Sequence, residues 1–467
     1  MGRPDAGDCA GTIGDERTGD TGTIGDAGTR DADATGAGAM AGACDARRRP
    51  LSVRANMAYN TAGSLAYQLC LWLTTMAAVL LSDTYEGAGE LAFAMSVGNM
   101  MSAIGTYDMR TYQVSDTTHA HTQREYVGFR IVTVAIGAAL TTAYAALTSP
   151  DAQTLAATIA FIAFKADEAF DDVLYGVEQA SGRMDYVGRS EALHGALSIL
   201  AFASALCASG SMPVAIAAML PASVAVTLAY DVRRAGLLAP IRPAIGRRAA
   251  LSLLARCLPM VVGMLLVGMV ASVPRQYYAN AYGNDALGAY ATVATPAVVV
   301  QATARYLYAP LLVGIAGMWN GGDGGRRVAL RYVARVVGVM VAAMAVAVPV
   351  LSAAGAWFLV AVYGGRVSAY VCLLPGALVG TATTALLGFL SDVLIVGRDL
   401  RGVLRAAVMS LGVSVATMMS ATKAMGLDGI NVTVIAATGA GIVVSALAIA
   451  ADARRSDSTT CGSATNP

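Results

Sequence analysis

One segment of this sequence places ionisable side chains inside an apolar chain. The run FKADEAFDDVLYGVEQASGRMD contains a lysine and several carboxylates, although only 13% of the residues in the chain are charged. At 3.6 residues per turn, Lys165, Glu168, Asp172 and Tyr175 fall on one stripe of a helix, with Asp171 beside it. Side chains of these types can pair with one another, bind a cation or attract an anion such as phosphate.

The segment that carries this stripe must lie in a membrane. With 56% hydrophobic residues and a mean hydropathy of +0.57, the chain is too apolar for a soluble protein, which carries about 25% charged residues. A charge at the centre of a bilayer costs from about 2.5 to more than 10 kcal/mol, so the stripe should face protein or water. We expect Lys165, Asp167 and Glu168 to be functional. For Asp172 and Glu178, a solvated helix end explains the charge equally well.

Several classes of function find no support in the sequence. A net charge of +1 gives no basic surface for nucleic acid. The sequence has no glycine-rich phosphate loop of the ATPase type, and its seven cysteines are scattered without the spacing of a zinc site. We therefore predict a protein without catalytic residues, resident metal or cofactor.

Hydropathy divides the chain into twelve apolar segments, each near the ~20 residues that a helix needs to cross the bilayer. Arginines fall on alternate connections, for example Arg124 and Arg130 on one and Arg233 and Arg234 on another. By the positive-inside rule, this distribution places both termini in the cytoplasm. The approximate segment centres are Leu71, Val97, Gly137, Ile162, Leu200, Leu220, Leu265, Val298, Met340, Ala377, Val413 and Ile435.

The twelve segments form two halves. The longest connection, near residue 240, separates two sets of six segments, and DTYEGAGELAFA in the first half matches NAYGNDALGAYA in the second, with Tyr85 opposite Tyr282. We predict an all-α multi-spanning membrane protein with about twelve transmembrane helices in two six-helix lobes around a central cleft, the layout of alternating-access transporters. The predicted parts are a disordered cytoplasmic tail at 1–50, lobes at 51–240 and 241–453, and a cytoplasmic tail at 454–467.

Few basic residues lie at membrane depth. Arg275 follows Pro274 near the predicted outer end of the seventh segment. Arg305 lies nearer the predicted cytoplasmic end of the eighth segment, where an arginine ordinarily extends its charge to the lipid headgroups. Arginine makes paired hydrogen bonds to phosphate, so Lys165, Arg275 and Arg305 are candidates to hold a diphosphate. The candidates for binding hydroxyls or a coupling cation are Asp167, Glu168, Asp171, Asp172 and Tyr175.

Four pieces of the sequence resemble the polysaccharide-exporter branch of the multidrug/oligosaccharidyl-lipid/polysaccharide (MOP) superfamily, which includes the Wzx-type flippases. They are TYDMRTYQVSD, the run from FKADEAFDD to MDYVGRS, VPRQYYANAYGNDALGAYA, and LLPGALVG followed by SDVLIVGRDLRG. The resemblance covers the chain from about Arg54 to Ala450. Arg275 matches a basic cleft position of that branch, although a glutamine and a tyrosine follow it where apolar residues are usual.

This resemblance implies a function and a location. A Wzx-type flippase moves an undecaprenyl-diphosphate-linked oligosaccharide across the bacterial cytoplasmic membrane for O-antigen, capsule or exopolysaccharide synthesis. Its partners are the lipid-linked oligosaccharide, membrane lipids, and the glycosyltransferases and polymerase of the pathway.

Three alternatives remain open. A cation-coupled multidrug exporter of the same superfamily would share the fold and would not need Arg275. A membrane glycosyltransferase or polymerase needs a sizeable outer loop, and the predicted outer connections are short. A structural scaffold would leave the charges of the fourth segment unexplained.

Overall fold

The computed structural model describes residues 51–116, 121–319 and 322–463. The segment at 1–50, predicted to be a disordered tail, lies outside the described residues.

The described residues form twelve long helical segments in chain order, and each predicted segment centre falls inside one of them. The predicted fold class is therefore confirmed. The segments are α1 Val53–Leu80, α2 Glu86–Thr106, α3 Gln123–Thr148, α4 Ala152–Ala180, α5 Met184–Ser209, α6 Met212–Leu238, α7 Arg247–Tyr282, α8 Asn284–Trp319, α9 Gly322–Tyr363, α10 Leu374–Val396, α11 Leu400–Met425 and α12 Asp428–Ser463.

Most of these helices are long and apolar enough to cross a bilayer without help. Among the described residues, eight satisfy length and hydropathy limits by themselves, and α7 makes nine when its two bent parts are counted as one span. The bend of 48° follows Pro259, which cannot donate an intrahelical hydrogen bond. Helix α4 does not qualify, since it carries the charged run described above. The protein is a multi-pass membrane protein.

Helix packing repeats with a shift of six helices. In the first half, α1 packs on α5, α2 on α4, and α4 on α6. In the second half, α7 packs on α11, α8 on α10, and α10 on α12. The two halves are thus two lobes with the same internal arrangement, in keeping with an internal duplication.

The lobes meet where α2 crosses α8. A Cβ atom on Gly89 would stand 1.8 Å from the carbonyl oxygen of Asn284, and one on Gly288 would stand 1.9 Å from that of Tyr85. The two backbones therefore touch, which only glycine permits. By this symmetry, Tyr85 of the first lobe and Asn284 of the second lobe occupy equivalent positions. The sequence match instead placed Tyr85 opposite Tyr282.

Polar contacts hold this crossing at the predicted outer end. The backbone N–H of Tyr85 donates to Asp285 at 3.0 Å, and Asn284 Nδ2 donates to Thr154 Oγ1 of α4 at 2.7 Å. Arg366 donates to backbone carbonyls in the connection that precedes α2, and its guanidinium lies 5.4 Å from the ring centre of Tyr85. These contacts tie the two lobes together on this side of the cleft.

We expect the Gly288→Ala variant to unfold at a lower temperature than the wild-type protein. The added methyl group must displace a backbone carbonyl, and overpacking of this kind costs about 1 to 3 kcal/mol. The measurement is the thermal midpoint of the purified protein in detergent, followed by loss of the monodisperse chromatographic peak.

Gly338 of α9 supplies the control. A Cβ atom there would meet nothing within 4 Å, so Gly338→Ala should keep or raise the midpoint through better helix propensity. Equal midpoints for the two variants would show that α2 and α8 do not touch at Gly288.

Candidate cation and substrate sites

Helices α4 and α6 each place an aspartate beside a histidine of α5. The Oδ2 atom of Asp171 lies 3.1 Å from His194 Nε2, and the Oδ2 atom of Asp231 lies 3.2 Å from the same nitrogen. The Thr227 hydroxyl lies 3.0 Å from Asp171 Oδ2 and 3.0 Å from Asp167 Oδ2. We call Asp167, Asp171, His194 and Asp231 the acid–histidine cluster.

The local shape of α6 brings its residues to this cluster. A π-helical turn runs from Thr227 to Asp231 and adds a residue to the ordinary α-helical turn. Ser223, one turn earlier, lies 3.0 Å from His194 Nδ1. The side chains of Ser223, Thr227 and Asp231 thus reach α4 and α5 from one face of the helix, and π-turns of this kind are frequent at functional sites.

The cluster is largely buried and holds more acidic than basic groups. Asp171 and Asp231 are 0% exposed and His194 is 3% exposed. Three carboxylates surround one imidazole, and the Oδ1 atoms of Asp171 and Asp231 have no hydrogen-bond partner among the described residues. Buried carboxylates without compensation take up protons or bind a cation. The ligand atoms of Asp167, Asp171 and His194 lie within 4.8 Å of one another, close enough for one ion to contact all three.

Asp172 points away from the cluster and forms an ion pair. Its Oδ2 atom accepts from Arg130 Nη2 at 2.6 Å, and Arg110 Nη1 lies 3.7 Å from Oδ1. Arg130 is fully buried in α3 and also donates to the carbonyl of Gly105 at 2.8 Å. The sequence assigned Arg130 to a cytoplasmic connection; the structure corrects this, because Asp172 supplies the counter-charge that permits burial.

Lys165 and Glu168 form the predicted pair at one turn of separation. The Lys165 Nζ atom lies 2.5 Å from Glu168 Oε2, and 5.5 Å and 5.6 Å from the ring centres of Phe161 and Phe164. The lysine charge is therefore satisfied inside α4. Its role as a ligand for diphosphate stays a prediction.

Two further residues of α4 are buried near its predicted cytoplasmic end. The hydroxyl of Tyr175 shares a hydrogen bond of 2.9 Å with Ser190 of α5. Glu178 is 0% exposed, and neither of its carboxyl oxygens has a partner among the described residues. Glu178 is therefore not the solvated helix end that the sequence allowed.

Arg275 lies apart from these groups, in a pocket of about 150 Å³ between α1, α2, α7 and α8. Its Nε atom has no hydrogen-bond partner among the described residues, and its guanidinium interacts with the hydroxyl of Tyr290. The pocket wall is part polar and part apolar. Lys165 does not line it, and the side chain of Arg305 lies outside the described part of the chain. The lining includes Gln68, Trp72, Thr75, Leu91, Met95, Asn99 and Thr292.

The sequence did not indicate His194 and Asp231 as site residues. A signal was present, since Ser223, Thr227 and Asp231 recur every four residues in an otherwise apolar segment and so share one face of a helix.

Comparisons with known proteins identify the fold. No family model and no curated protein matches the sequence. Among solved structures, an inward-facing multidrug resistance MATE family transporter of the MOP superfamily superposes with a TM-score of 0.61 at 15% identity, covering 85% of this chain and 96% of that one. The chain has the fold of MATE transporters.

Two further structures support the same fold. An outward-facing multidrug resistance MATE transporter gives a TM-score of 0.53 at 14% identity over 86% of this chain and 96% of that one. A mutant of the Vibrio cholerae MATE transporter VcmN gives 0.52 at 13% identity over 86% and 97%.

We expect Lys165→Met and Glu168→Gln to lower the yield of folded protein singly, and the double variant to recover most of it. Removing one partner of a buried ion pair leaves an uncompensated charge and costs about 3 to 5 kcal/mol, whereas removing both leaves none. Membrane-inserted protein and its thermal midpoint in detergent are the measurements.

The exposed pair of Arg405 and Asp399 gives the control, because Arg405 has a side chain 64% exposed and lies 3.5 Å from its partner. Arg405→Gln should change the midpoint little. A double Lys165/Glu168 variant no more stable than the single variants would show that these two charges do not compensate each other.

Proposed function

We propose that this protein is a proton-coupled exporter of amphipathic compounds that works by alternating access between its two lobes. The observation that carries the proposal is the buried acid–histidine cluster inside the first lobe. The fold supports it, because two of the solved structures with this fold are described as multidrug resistance transporters. This proposal favours the exporter over the lipid-linked oligosaccharide flippase that the sequence resemblance implied.

The donor set favours a proton over a sodium ion. An imidazole nitrogen occupies the position between Asp171 and Asp231, and Na⁺ prefers oxygen ligands. Protonated at both ring nitrogens, His194 donates to a carboxylate on one side and to the Ser223 hydroxyl on the other. Loss of that proton leaves three carboxylates facing a neutral ring, a change that α4, α5 and α6 must accommodate.

Proton movement then biases the transport cycle. The cluster joins α4, α5 and α6, and α4 packs on α2, the helix that crosses α8 of the other lobe. A change of charge in the cluster can thus alter the packing that holds the outer crossing closed. Each proton that enters down a potential of 100 mV supplies about 2.3 kcal/mol, enough to shift a two-state equilibrium almost fifty-fold.

The pocket around Arg275 fits an amphipathic substrate. Trp72, Leu91 and Met95 offer apolar surface, while Gln68 and Asn99 offer hydrogen bonds. A cationic group would be repelled by Arg275, so we expect neutral, zwitterionic or anionic compounds to be preferred.

The proposal includes a location. The protein lies in a bacterial cytoplasmic membrane, with both termini in the cytoplasm.

Proton coupling is measured with the full chain in proteoliposomes that have an acidic interior. Addition of a transported compound outside should release protons from the vesicles, reported by an acridine dye. His194→Gln and Asp171→Asn should reduce this signal at least tenfold, because each removes a group that binds or positions the proton.

His121 is the matched control, as it lies on a connection outside the cluster and pairs with Glu125 at 3.8 Å. His121→Gln should leave the signal unchanged. Transport driven equally by a sodium gradient in the absence of a pH gradient would contradict proton coupling.

A lipid-linked diphosphate remains the second candidate substrate. The specific observation is the Nε atom of Arg275, which has no hydrogen-bond partner in the described part of the chain while its residue faces a pocket between the lobes. A diphosphate would gain a charge-assisted hydrogen bond there, worth about 1.5 to 3 kcal/mol. Glycosyltransferases and a polymerase of the same pathway would then be the functional partners.

We expect Arg275→Gln to slow translocation of a fluorescent polyprenyl-diphosphate sugar in proteoliposomes by at least tenfold, with Arg275→Lys retaining more. Loss of the charge removes the contact with diphosphate, whereas lysine keeps the charge without the paired geometry. Accessibility of the fluorophore to an impermeant quencher is the measurement. No translocation above protein-free vesicles by the wild-type protein would exclude this substrate.

A further inference from the structure

A second cavity lies at the predicted cytoplasmic end of the second lobe, between the α10–α11 connection and α12. It has a volume of about 890 Å³ and combines basic with apolar walls. The basic wall holds Arg398, Arg401 and Arg405. The apolar wall is formed by Leu404, Val444, Leu447, Ala448 and Ala451.

The apolar wall belongs to the surface that faces lipid. Leu447 is 65% exposed and Leu404 is 36% exposed, although both lie on apolar membrane helices. The neighbouring Val443 is 57% exposed on the same side of α12. Side chains of this kind are covered by acyl chains in a bilayer, so the cavity opens sideways to lipid as well as to the membrane surface.

Two of the three arginines lack a carboxylate partner among the described residues. Arg405 lies 3.5 Å from Asp399, whereas within the described ranges the side chains of Arg398 and Arg401 form no ion pair or hydrogen bond. Asp399 is itself engaged, because its Oδ1 atom caps α11 by accepting from the Gly402 N–H at 2.9 Å. The cavity therefore carries net positive charge.

Arg398 occupies a backbone position that favours glycine. Its φ angle is 59°, in the left-handed region, although it is not a glycine. Hydrogen bonds fix the turn, with Arg398 N donating to Ile395 O at 2.9 Å and Asp399 N to Leu394 O at 3.0 Å. A residue with a long cationic side chain is thus held at a strained position on the rim of the cavity. Such strain persists where the rest of the structure imposes it, often at a ligand site.

We propose that this cavity binds the headgroup of an anionic phospholipid of the cytoplasmic leaflet. The phosphodiester lies between Arg398 and Arg401, and the acyl chains follow Leu404 and Leu447 along α11 and α12. Basic pockets between transmembrane helices on the cytoplasmic side are suited to anionic headgroups. The site is independent of the transported substrate and of the acid–histidine cluster, so failure of either proposal leaves the other intact.

A lipid explains the cavity better than a free anion does. A soluble phosphate or nucleotide would use the arginines and leave the exposed leucines without a role. A lipid uses both, since its charge meets the basic wall and its chains cover the apolar one. The same connection carries the GRDLRG run that the transport mechanism above does not use.

The test uses the purified full chain in detergent, with phosphatidylglycerol, phosphatidylcholine or inorganic phosphate added. Phosphatidylglycerol should raise the thermal midpoint, and native mass spectrometry should show a bound molecule. Phosphatidylcholine and phosphate should do neither. Removing Arg398 and Arg401 should weaken binding by about fivefold for each arginine.

The variants are chosen to keep the fold intact. Arg398→Gly relieves the left-handed backbone, so its midpoint without lipid should not fall, while its response to phosphatidylglycerol should shrink. Arg401→Gln removes an exposed side chain and should act in the same way. Arg331→Gln/Arg335→Gln, on exposed positions of α9 that do not line this cavity, should retain the full lipid response.

Three results would overturn the proposal. One is an equal response of the wild-type protein to phosphatidylcholine, which would mean that the cavity does not select lipids by the negative charge of the headgroup. Another is stabilisation by inorganic phosphate alone, which would assign the cavity to a soluble anion. The third is an equal loss of binding in the Arg331→Gln/Arg335→Gln variant, which would indicate a general effect of surface charge.

Discussion

The cost of placing charge in a membrane governs the arrangement of the first lobe. Helix α4 carries enough ionisable residues to fall short of the hydropathy of a spanning helix, so its charges must be compensated by its neighbours. Arg130 compensates Asp172, Lys165 compensates Glu168, and His194 compensates Asp171. These contacts decide which faces of α3, α5 and α6 turn toward α4. Among the described residues, compensation stays incomplete in the acid–histidine cluster and at Glu178, whose carboxyl oxygens have no partner. An incompletely compensated group can change its charge state during a cycle, whereas a fully paired one serves packing.

The fold was predictable from the sequence to the extent that it depends on hydropathy. Segments of sufficient length and the alternation of arginines gave the number of helices, because both follow from the thickness and sidedness of the bilayer. Hydropathy could not predict which helices pack against each other. Small residues such as Gly89 and Gly288 determine this packing, because they let two helix backbones touch. One faint sequence match indicated the contact between these helices, but its alignment differs by two residues from the observed one.

The candidate site was predictable on α4 alone. Helical periodicity located Lys165, Glu168 and Asp171 on a membrane helix, but it could not show which charge meets which partner. Asp172 and Asp171 are adjacent in sequence yet face different helices, one toward Arg130 and the other toward His194. His194 and Asp231 come from helices whose overall composition is apolar, so neither stood out until the three-dimensional arrangement brought them to α4.

The contact between α2 and α8 is reciprocal between the two lobes. Gly89 touches Asn284 while Gly288 touches Tyr85, so each glycine meets the residue four positions before the equivalent glycine of the other lobe. This reciprocity is the rule for isologous association, in which two copies of one subunit present the same patch to each other. The contact between the lobes therefore has the geometry of a homodimer interface held within one chain. The two lobes nevertheless differ in chemistry, since the first holds the acid–histidine cluster and the second holds the basic cavity beside α12.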